Sequence, residues 1–567
     1  MRCIENSGYQ LDKEGGFWSN PEMSPFTYSD GQEVEQHILR IVTEASDLSS
    51  WSDELQSSCK DWVTWYHLSK QRANLLRPFE EFLTGSVLEI GAGCGAVTRY
   101  LAEVAESVLA LEGSHHRAQI AVQRTRDLGN VTIVVDNIGS FALNQKFDVV
   151  VVVGVLEYAD VFLEGEDPFD EFLQLARNFL SEDGFLLLAI ENKFGLKYFA
   201  GANEDHLGTP MAGLEGRYRV GGPRTFSKRE LRQKLMGAGF AGQFFHSPIP
   251  DYKLPIGVIT QQGILDPRFN SAALSGEASF VDPQLPLNPS FNPLLAWTEI
   301  GGENFEIDLS NSFLVEAHPR RIDQSITSGL LAEHYGSVRK TAFQKTKRFS
   351  RRGTQVVVNS FSTLGGESSS FLGDVSQSFP PESYLVGESV RTEFVKQLVD
   401  SQDPDEVLAS WVLEWLDILE TFANSKRLKW PQQISPGAGV DGRLIDALPR
   451  NAIRTTDGVK FFDQEWSQSG ELSIERLLYR VALDLYFAMP AEWQARYSPS
   501  EILGIFSKAS KIDCSITESG LNSDSQFQEL VTHPSLERNI VQQPRLGFEV
   551  SPKSSKGISL LFRNRRR

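Results

Sequence analysis

The stretch Val87-Leu88-Glu89-Ile90-Gly91-Ala92-Gly93-Cys94-Gly95 decides how the first half of this chain folds. Val87 to Ile90 reads as a short buried strand, and the glycines at alternate positions read as the turn that ends it. A glycine turn leading into a helix lets backbone amides come close to a ligand, because a side chain there would block the approach. A nucleotide-like ligand is implied. Its identity stays open at this point: Gly91-Ala-Gly-Cys-Gly-Ala96 also satisfies the dinucleotide fingerprint, and Glu112, 21 residues beyond Gly91, could hold a ribose in either setting.

Outward from this turn the pattern alternates. Strands are expected at 86–90, 107–111, 131–135, 147–153 and 184–190, with helices at 95–105, 115–127 and 169–180 between them. Short apolar runs separated by helical segments signal a parallel sheet covered on both faces, and Val149 to Val153 reads as its central strand. A helix follows at Ser227 to Gly237, where Ser227 with Glu230 forms a capping box. Strands near Gln243 to Ser247 and Asn311 to Ala317 flank a Pro- and Asn-rich insertion at about 255–305, the later strand returning to the sheet edge. Upstream, residues 1–30 read as an irregular arm, then come a helix at Glu33 to Glu44 and a longer one over Lys60 to Leu83.

Several features beside the glycine turn resemble class I S-adenosylmethionine-dependent methyltransferases. They are Glu89 inside the first strand followed by G-x-G-x-G, Asp136-Asn137 closing the third strand, Gly154-Val-Leu-Glu-Tyr158 after the fourth, and the late antiparallel strand. The resemblance covers about 60–320 and implies a Rossmann-like, doubly wound α/β sheet. It implies S-adenosylmethionine as cofactor, with Glu89, Gly91, Gly93, Gly95, Glu112, Asp136, Asn137 and Gly154 at its site. Glu112 would accept from the ribose hydroxyls, and Asp136 with Asn137 would meet the adenine. Tyr66-His67-Leu68-Ser69 and Ile190 to Gly201 are similar to methyltransferases of bacterial surface-polysaccharide clusters, which implies a saccharide or glycan-linked phosphate as acceptor and glycan-assembly proteins as partners. Glu191, Asn192 and His206, past the fifth strand on the carboxyl edge where open α/β sheets place ligands, are the candidate acceptor contacts or base.

Past Pro319 the texture changes, and a second domain is expected over 325–500, then a polar tail over 501–567 ending Arg563-Asn-Arg-Arg-Arg567. Asp446-Ala-Leu-Pro-Arg-Asn451 followed by Val459-Lys-Phe-Phe-Asp463 has the spacing of a kinase-like site, in which Asp446 handles the acceptor proton and Asn451 with Asp463 holds Mg2+ beside ATP. The strand expected to carry the phosphate-binding lysine, Gln355 to Ser360, presents Asn359 instead. Active phosphotransfer, a kinase fold without transfer and a scaffold domain all remain open. The whole layout resembles bifunctional methyltransferase-kinase proteins, that is, an α/β domain followed by an α+β kinase-like domain.

Bulk properties narrow the alternatives. A length of 567 residues favours several domains, and 41% hydrophobic with 23% charged residues is ordinary for globular chains. Seventy-four acidic against 55 basic side chains give a formal charge of -19, which repels phosphodiester backbones, so no nucleic-acid partner is expected. Cys3, Cys59, Cys94 and Cys514 lack zinc-site or disulfide-framework spacing, and no apolar run is long enough to span a bilayer. These point to a cytoplasmic protein with at most peripheral membrane contact. The competing functions are a nicotinamide-dependent oxidoreductase and a methyltransferase with a non-catalytic C-terminal scaffold.

Overall fold

The computed structural model describes residues 2–22, 31–363, 369–372, 375–512 and 531–532. In chain order its first strands are β1 (Gln10–Asp12), β2 (Phe17–Ser19), β3 (Ser86–Ile90), β4 (Ser107–Glu112), β5 (Val131–Val135), β6 (Phe147–Val153) and β7 (Leu180–Glu191). They are followed by β8 (Gly242–Ile249), β9 (Gly257–Ile259), β10 (Ser312–His318), β11 (Leu330–Tyr335), β12 (Lys345–Arg352) and β13 (Gln355–Ser362). All belong to one sheet in the order β1-β2-β5-β4-β3-β6-β7-β10-β8-β9-β11-β12-β13.

The expected parallel ladder is present, with β5, β4, β3, β6 and β7 side by side. Alternation sorts its side chains onto two cores: Leu88, Val150, Val152, Leu186 and Leu188 point to one face, while Val87, Val149, Val151 and Leu187 point to the other. Both faces are buried, which is why β6 is an unbroken valine run. The late strand differs from expectation in its place. β10 does not close the edge; it lies antiparallel between β7 and β8, and all seven of its residues are buried.

Two upstream expectations are corrected. Residues 10–19 are not irregular: β1 and β2 form a hairpin, and β2 adds parallel to β5 because Phe17 and Trp18 are buried on it. The helix expected over 60–83 is broken into Trp62–Leu68 and two 3-10 turns, Lys70–Leu75 and Arg77–Phe82. Ser69 ends the first piece in an extended conformation, its hydroxyl accepting from the Gln71 amide, and Pro78 cannot donate to continue a helical ladder.

The insertion is mostly helical, with helices Gln261–Leu265, Ser271–Ser279, Pro293–Gly302 and Glu306–Leu309. Its short strand β9 pairs with both β8 and β11, so the backbone ladder runs from the first unit into the second. Its Leu294 is buried in the C-terminal core, beside helices Val390–Asp400, Pro404–Ser425, Ile474–Ala488 and Pro499–Ser510. In that core Trp411 stacks on Trp415 with ring centroids 5.3 Å apart. Of the expected tail, helix Pro499–Ser510 buries Ile502, Leu503 and Phe506, and the basic end lies outside the described residues. Among the described residues, no helix is long and apolar enough to cross a membrane.

Where β8 and β10 meet, Glu316 is fully buried and its carboxylate faces two histidines, His318 Nε2 at 2.7 Å and His246 Nε2 at 3.5 Å. It also accepts from the Ile326 amide at 3.0 Å and from the Ser325 hydroxyl. Burial alone would raise its pKa, but the histidines and these hydrogen bonds bring it down from 4.5 to about 2. A depressed folded-state value contributes stability that is complete above about 4.5 and is lost as the pH falls toward 2. The contribution is on the order of 3 kcal/mol. Denaturant melts of Glu316→Gln across pH 5 to 2.5 should therefore show a shallower loss of stability than the parent; equal slopes would contradict this assignment.

Candidate functional site

The carboxyl ends of β5, β4, β3, β6 and β7 deliver, in that order across the sheet, Asp136, Glu112, the Gly91–Gly93 turn, Gly154 and Glu191. Strands lie about 4.8 Å apart, so these four steps make a row roughly 19 Å long. All of these groups line one pocket. Trp62, Tyr66 and Arg72, from the broken helical segment, form a wall of it, and His206, Tyr252 and Lys253 close its far end.

In the middle of the row Glu112 ties two turns together. It accepts from the Gly93 amide at 2.7 Å and from the Ser114 amide at 2.9 Å, and burial keeps its pKa above the ordinary carboxylate value. Two of the glycines, Gly93 and Gly95, have different jobs. At Gly93 (φ +55°) an added Cβ meets nothing within 4 Å, so the space above it is open to a ligand. At Gly95 (φ +78°) an added Cβ would sit 2.8 Å from the Ala121 Cα, and Gly95 is not part of the pocket lining. Gly95 thus packs closely against the helix that carries Ala121.

Asp136 and Asn137 do line the pocket, yet the carboxylate of Asp136 is already engaged. It accepts from the Tyr9 hydroxyl (2.6 Å), the Ser140 hydroxyl (2.6 Å), the Asn137 amide (2.8 Å) and the Asn20 side chain. Tyr9 and Asn20, flanking the N-terminal hairpin, therefore close this end through contacts 116–127 residues apart in the chain, which no local pattern signals. Asn137 donates to the Phe162 carbonyl and accepts from the Gly139 amide.

Nearer the centre, two buried atoms have no hydrogen-bond partner among the described residues, Glu89 Oε2 and Arg72 Nε. Burial pushes Glu89 up to about 8. Arg72 lies over the Tyr66 ring, 4.2 Å from its centroid, and Nη1 donates to the Lys253 carbonyl at 2.7 Å. A free carboxylate oxygen and a free guanidinium N–H in one pocket complement an ammonium and a carboxylate.

At the far end the expected Glu191 and His206 are brought together, joined by Glu157. His206 Nε2 lies 3.9 Å from both glutamates, while its Nδ1 is 3.2 Å from Glu204. Burial opposes charge on His206, but Glu191, Glu157 and Glu204 hold the imidazole well above the usual histidine range. Burial together with the neighbouring Glu191 pushes Glu157 up to about 7. Tyr252 donates to Glu191 at 3.1 Å, and Lys253 contacts both Glu191 and Asp205. Asn192 does not belong here. It is absent from the lining, and its amide donates to the Asp308 and Ser310 carbonyls at 2.8 Å each, bracing a loop.

In the C-terminal unit Asp446, Asn451 and Asp463 form one cluster. The Asn451 amide donates to the Asp446 carbonyl at 3.1 Å, and the Asp446 carboxylate accepts from the Glu465 and Trp466 amides at 3.1 Å. Burial and the nearby Glu465 push Asp446 up to about 6. Burial would do the same to Asp463, but Lys345 and Lys347 hold it far below the carboxylate range, each 2.7 Å away. Asp463 has a positive φ of 55°, a strained conformation for this residue type. Asn359 does sit where a lysine was sought, opposite Arg348; the cations come from one strand earlier, on β12.

Residues 88–186 match the family model described as "Methyltransferase domain". The chain is 45% identical over 60 residues to a ribosomal RNA small subunit methyltransferase A of Streptococcus pneumoniae (strain Hungary19A-6), covering 11% of this chain and 21% of that protein. To the same-named protein of strain D39 it is 34% identical over 101 residues, covering 16% and 35%. The chain thus spans about a fifth to a third of the length of these curated relatives. Among solved structures, a S-adenosylmethionine-dependent methyltransferase from Clostridium acetobutylicum is similar at 18% identity and TM-score 0.21, over 24% of this chain and 55% of that one. The N-methyltransferase NodS from Bradyrhizobium japonicum, in complex with S-adenosyl-L-homocysteine, is similar at 20% identity and TM-score 0.21, over 28% and 74%. With the family match and the strand order, the first unit is a class I S-adenosylmethionine-dependent methyltransferase domain.

The two glycines can be separated experimentally. Gly93→Ala should fold with a loss of about 1–2 kcal/mol, the cost of a side chain in the left-handed region, yet bind S-adenosylhomocysteine at least about tenfold more weakly. Gly95→Ala should lose more stability, because it also meets backbone. Calorimetric titration and thermal melts check both; unaltered binding by Gly93→Ala would mean that the ligand does not pass over this turn.

Proposed function

We propose that this protein transfers the methyl group of S-adenosylmethionine to a hydroxyl oxygen of a saccharide. The observation that supports the cofactor most directly is the unsatisfied pair in the middle of the pocket. Glu89 Oε2 and Arg72 Nε match the ammonium and carboxylate of an amino acid, and a nicotinamide dinucleotide carries no such pair. Adenosine then extends along the row toward Glu112 and Asp136, and the sulfonium methyl comes to the Gly154 side, facing Glu191 and His206.

The acceptor end is acidic. Glu157, Glu191, Glu204 and Asp251 are buried there with Lys197 and Lys253, and the side chains of Asp205 and His206 are each 4% exposed. Such a site disfavours an anionic phosphate and favours a neutral hydroxyl, which needs a base. Glu157 Oε2 and Glu191 Oε2 have no hydrogen-bond partner among the described residues. The hydroxyl oxygen forms a bond to the methyl carbon, the carbon–sulfur bond breaks with its electron pair going to sulfur, and the hydroxyl proton passes to the carboxylate cluster. The net charge of -19 and this acidic end both count against ribosomal RNA, the substrate named for the curated relatives.

For the C-terminal unit the proposed reading is kinase-like, with Lys345 and Lys347 placed to meet phosphates of ATP and Asn451 with Asp463 to hold Mg2+. Mg2+-dependent ATP binding that disappears in Asp463→Ala supports it, and no ATP binding would leave a scaffold for glycan-assembly partners. A cytoplasmic location fits the buried thiols of Cys59 and Cys94, neither of which is in a disulfide.

Labelled S-adenosylmethionine supplied with a fractionated extract should place label in saccharide and not in RNA. Glu157→Gln and Glu191→Gln should lower that transfer at least about a hundredfold, the range of a lost general base. Label confined to RNA, or transfer unaffected by both variants, would overturn the proposal.

A further inference from the structure

Three groups at the acceptor end have a geometry that hydrogen bonding does not use. His206 Nε2 stands 3.9 Å from Oε1 of Glu157 and 3.9 Å from Oε1 of Glu191, too far for a hydrogen bond, and the unpartnered oxygens are the Oε2 atoms beside them. One ligand atom from each of the three residues lies within 4.8 Å of the others. Glu157 and Glu191 each keep a buried oxygen without a partner among the described residues, although both residues are at most 1% exposed. A buried carboxylate oxygen left unpaired costs free energy unless something positive meets it. Lys253 and Tyr252 engage only the other oxygen of Glu191.

We infer that Glu157, Glu191 and His206 bind a divalent cation, which displaces the Nε2 proton of His206 to solvent and holds the acceptor's hydroxyl oxygens. Bonds of about 2.0–2.6 Å to nitrogen and oxygen span the observed separations. The other nitrogen of His206 faces the Glu204 carboxylate at 3.2 Å, the outer contact by which metal-binding histidines are commonly fixed in tautomer and direction. Glu204 is itself held by the amides of His206 (2.8 Å) and Leu207, so this orientation is built into the loop. Three protein ligands leave coordination positions open toward the pocket. Two neighbouring hydroxyls of a saccharide fill such positions, whereas a lone amine or a single hydroxyl gains less from them. A mixed nitrogen and carboxylate set suits Mn2+, Fe2+ or Zn2+ better than Ca2+ or Mg2+. Each glutamate binds through one oxygen; Lys253 and Tyr252 hold the other oxygen of Glu191, so the second oxygen of Glu157 takes the hydroxyl proton.

This inference deepens the proposed methyl transfer and rests on the same pocket, but it is tested without turnover. Mn2+ is titrated into the full-length protein while the free ion is followed by electron paramagnetic resonance, and S-adenosylhomocysteine binding is measured on the same samples. An Asp463→Asn background removes a candidate ion at the C-terminal cluster. The expected result is one bound Mn2+ per chain, lost in His206→Ala and Glu157→Gln, with S-adenosylhomocysteine affinity retained within about threefold. Glu204→Gln should weaken Mn2+ binding by about 10–100-fold. Retained S-adenosylhomocysteine binding shows that each variant is folded. No Mn2+ binding, or binding indifferent to all three substitutions, overturns the cation site alone; loss of S-adenosylhomocysteine binding by the parent protein overturns the cofactor reading instead.

Discussion

The carboxylate of Glu112 is the clasp on which the site depends. By accepting from Gly93 and Ser114 it fixes the turn after β3 against the turn after β4. Without that clasp the carboxyl ends of two adjacent strands would be free to separate, and the open space over Gly93 would lose its shape. The parallel ladder sets the row of functional groups, and this buried charge sets the distance between its two central members. Leaving an acidic group buried is costly, and its raised pKa records that cost. Two amides directed at it offset the penalty, which explains why a site for a polar ligand can be lined by so much buried charge.

The strands of this unit were legible because their signal is local. A valine run at 149–153 is a doubly buried strand wherever it falls, and Gly91 to Gly95 can only be a tight turn. The acceptor end was legible in part. Glu191 follows a strand and His206 lies in a polar loop, so both could be singled out, whereas Glu157, Tyr252 and Lys253 come from two further loops and share no spacing with them. Arg72 was hidden for a different reason: the run over 60–83 has helical composition, and only the breaks at Ser69 and Pro78 turn Arg72 toward the pocket. Asn192 shows the converse, a polar residue in the right place along the chain whose side chain is consumed by two carbonyls.

The two halves of the chain are more closely joined than a boundary near 320–330 suggests. β9 carries the ladder from β8 to β11, and Arg391 of the C-terminal helices contacts Glu277 of the insertion and lies 3.0 Å from Asp484. The insertion therefore serves two cores at once. Ala278 lies in the core that includes the methyltransferase strands, Phe269 meets Phe349 and Tyr384 of the second unit, and Leu294 lies in the C-terminal core. In physical terms the acceptor pocket and the Lys345–Asp463 cluster are held by one continuous framework.

Calorimetric titration with S-adenosylhomocysteine and with NAD decides whether the pocket receives the amino-acid end of S-adenosylmethionine between Glu89 and Arg72. In the free protein Glu89 keeps its proton up to about pH 8, and a bound ammonium requires it ionised. Single-site S-adenosylhomocysteine binding is expected to strengthen from pH 6 to 8 with release of a proton, with no binding of NAD and no such proton release in Glu89→Gln. Binding of NAD without S-adenosylhomocysteine, or S-adenosylhomocysteine binding indifferent to both Glu89→Gln and Arg72→Ala, would contradict it.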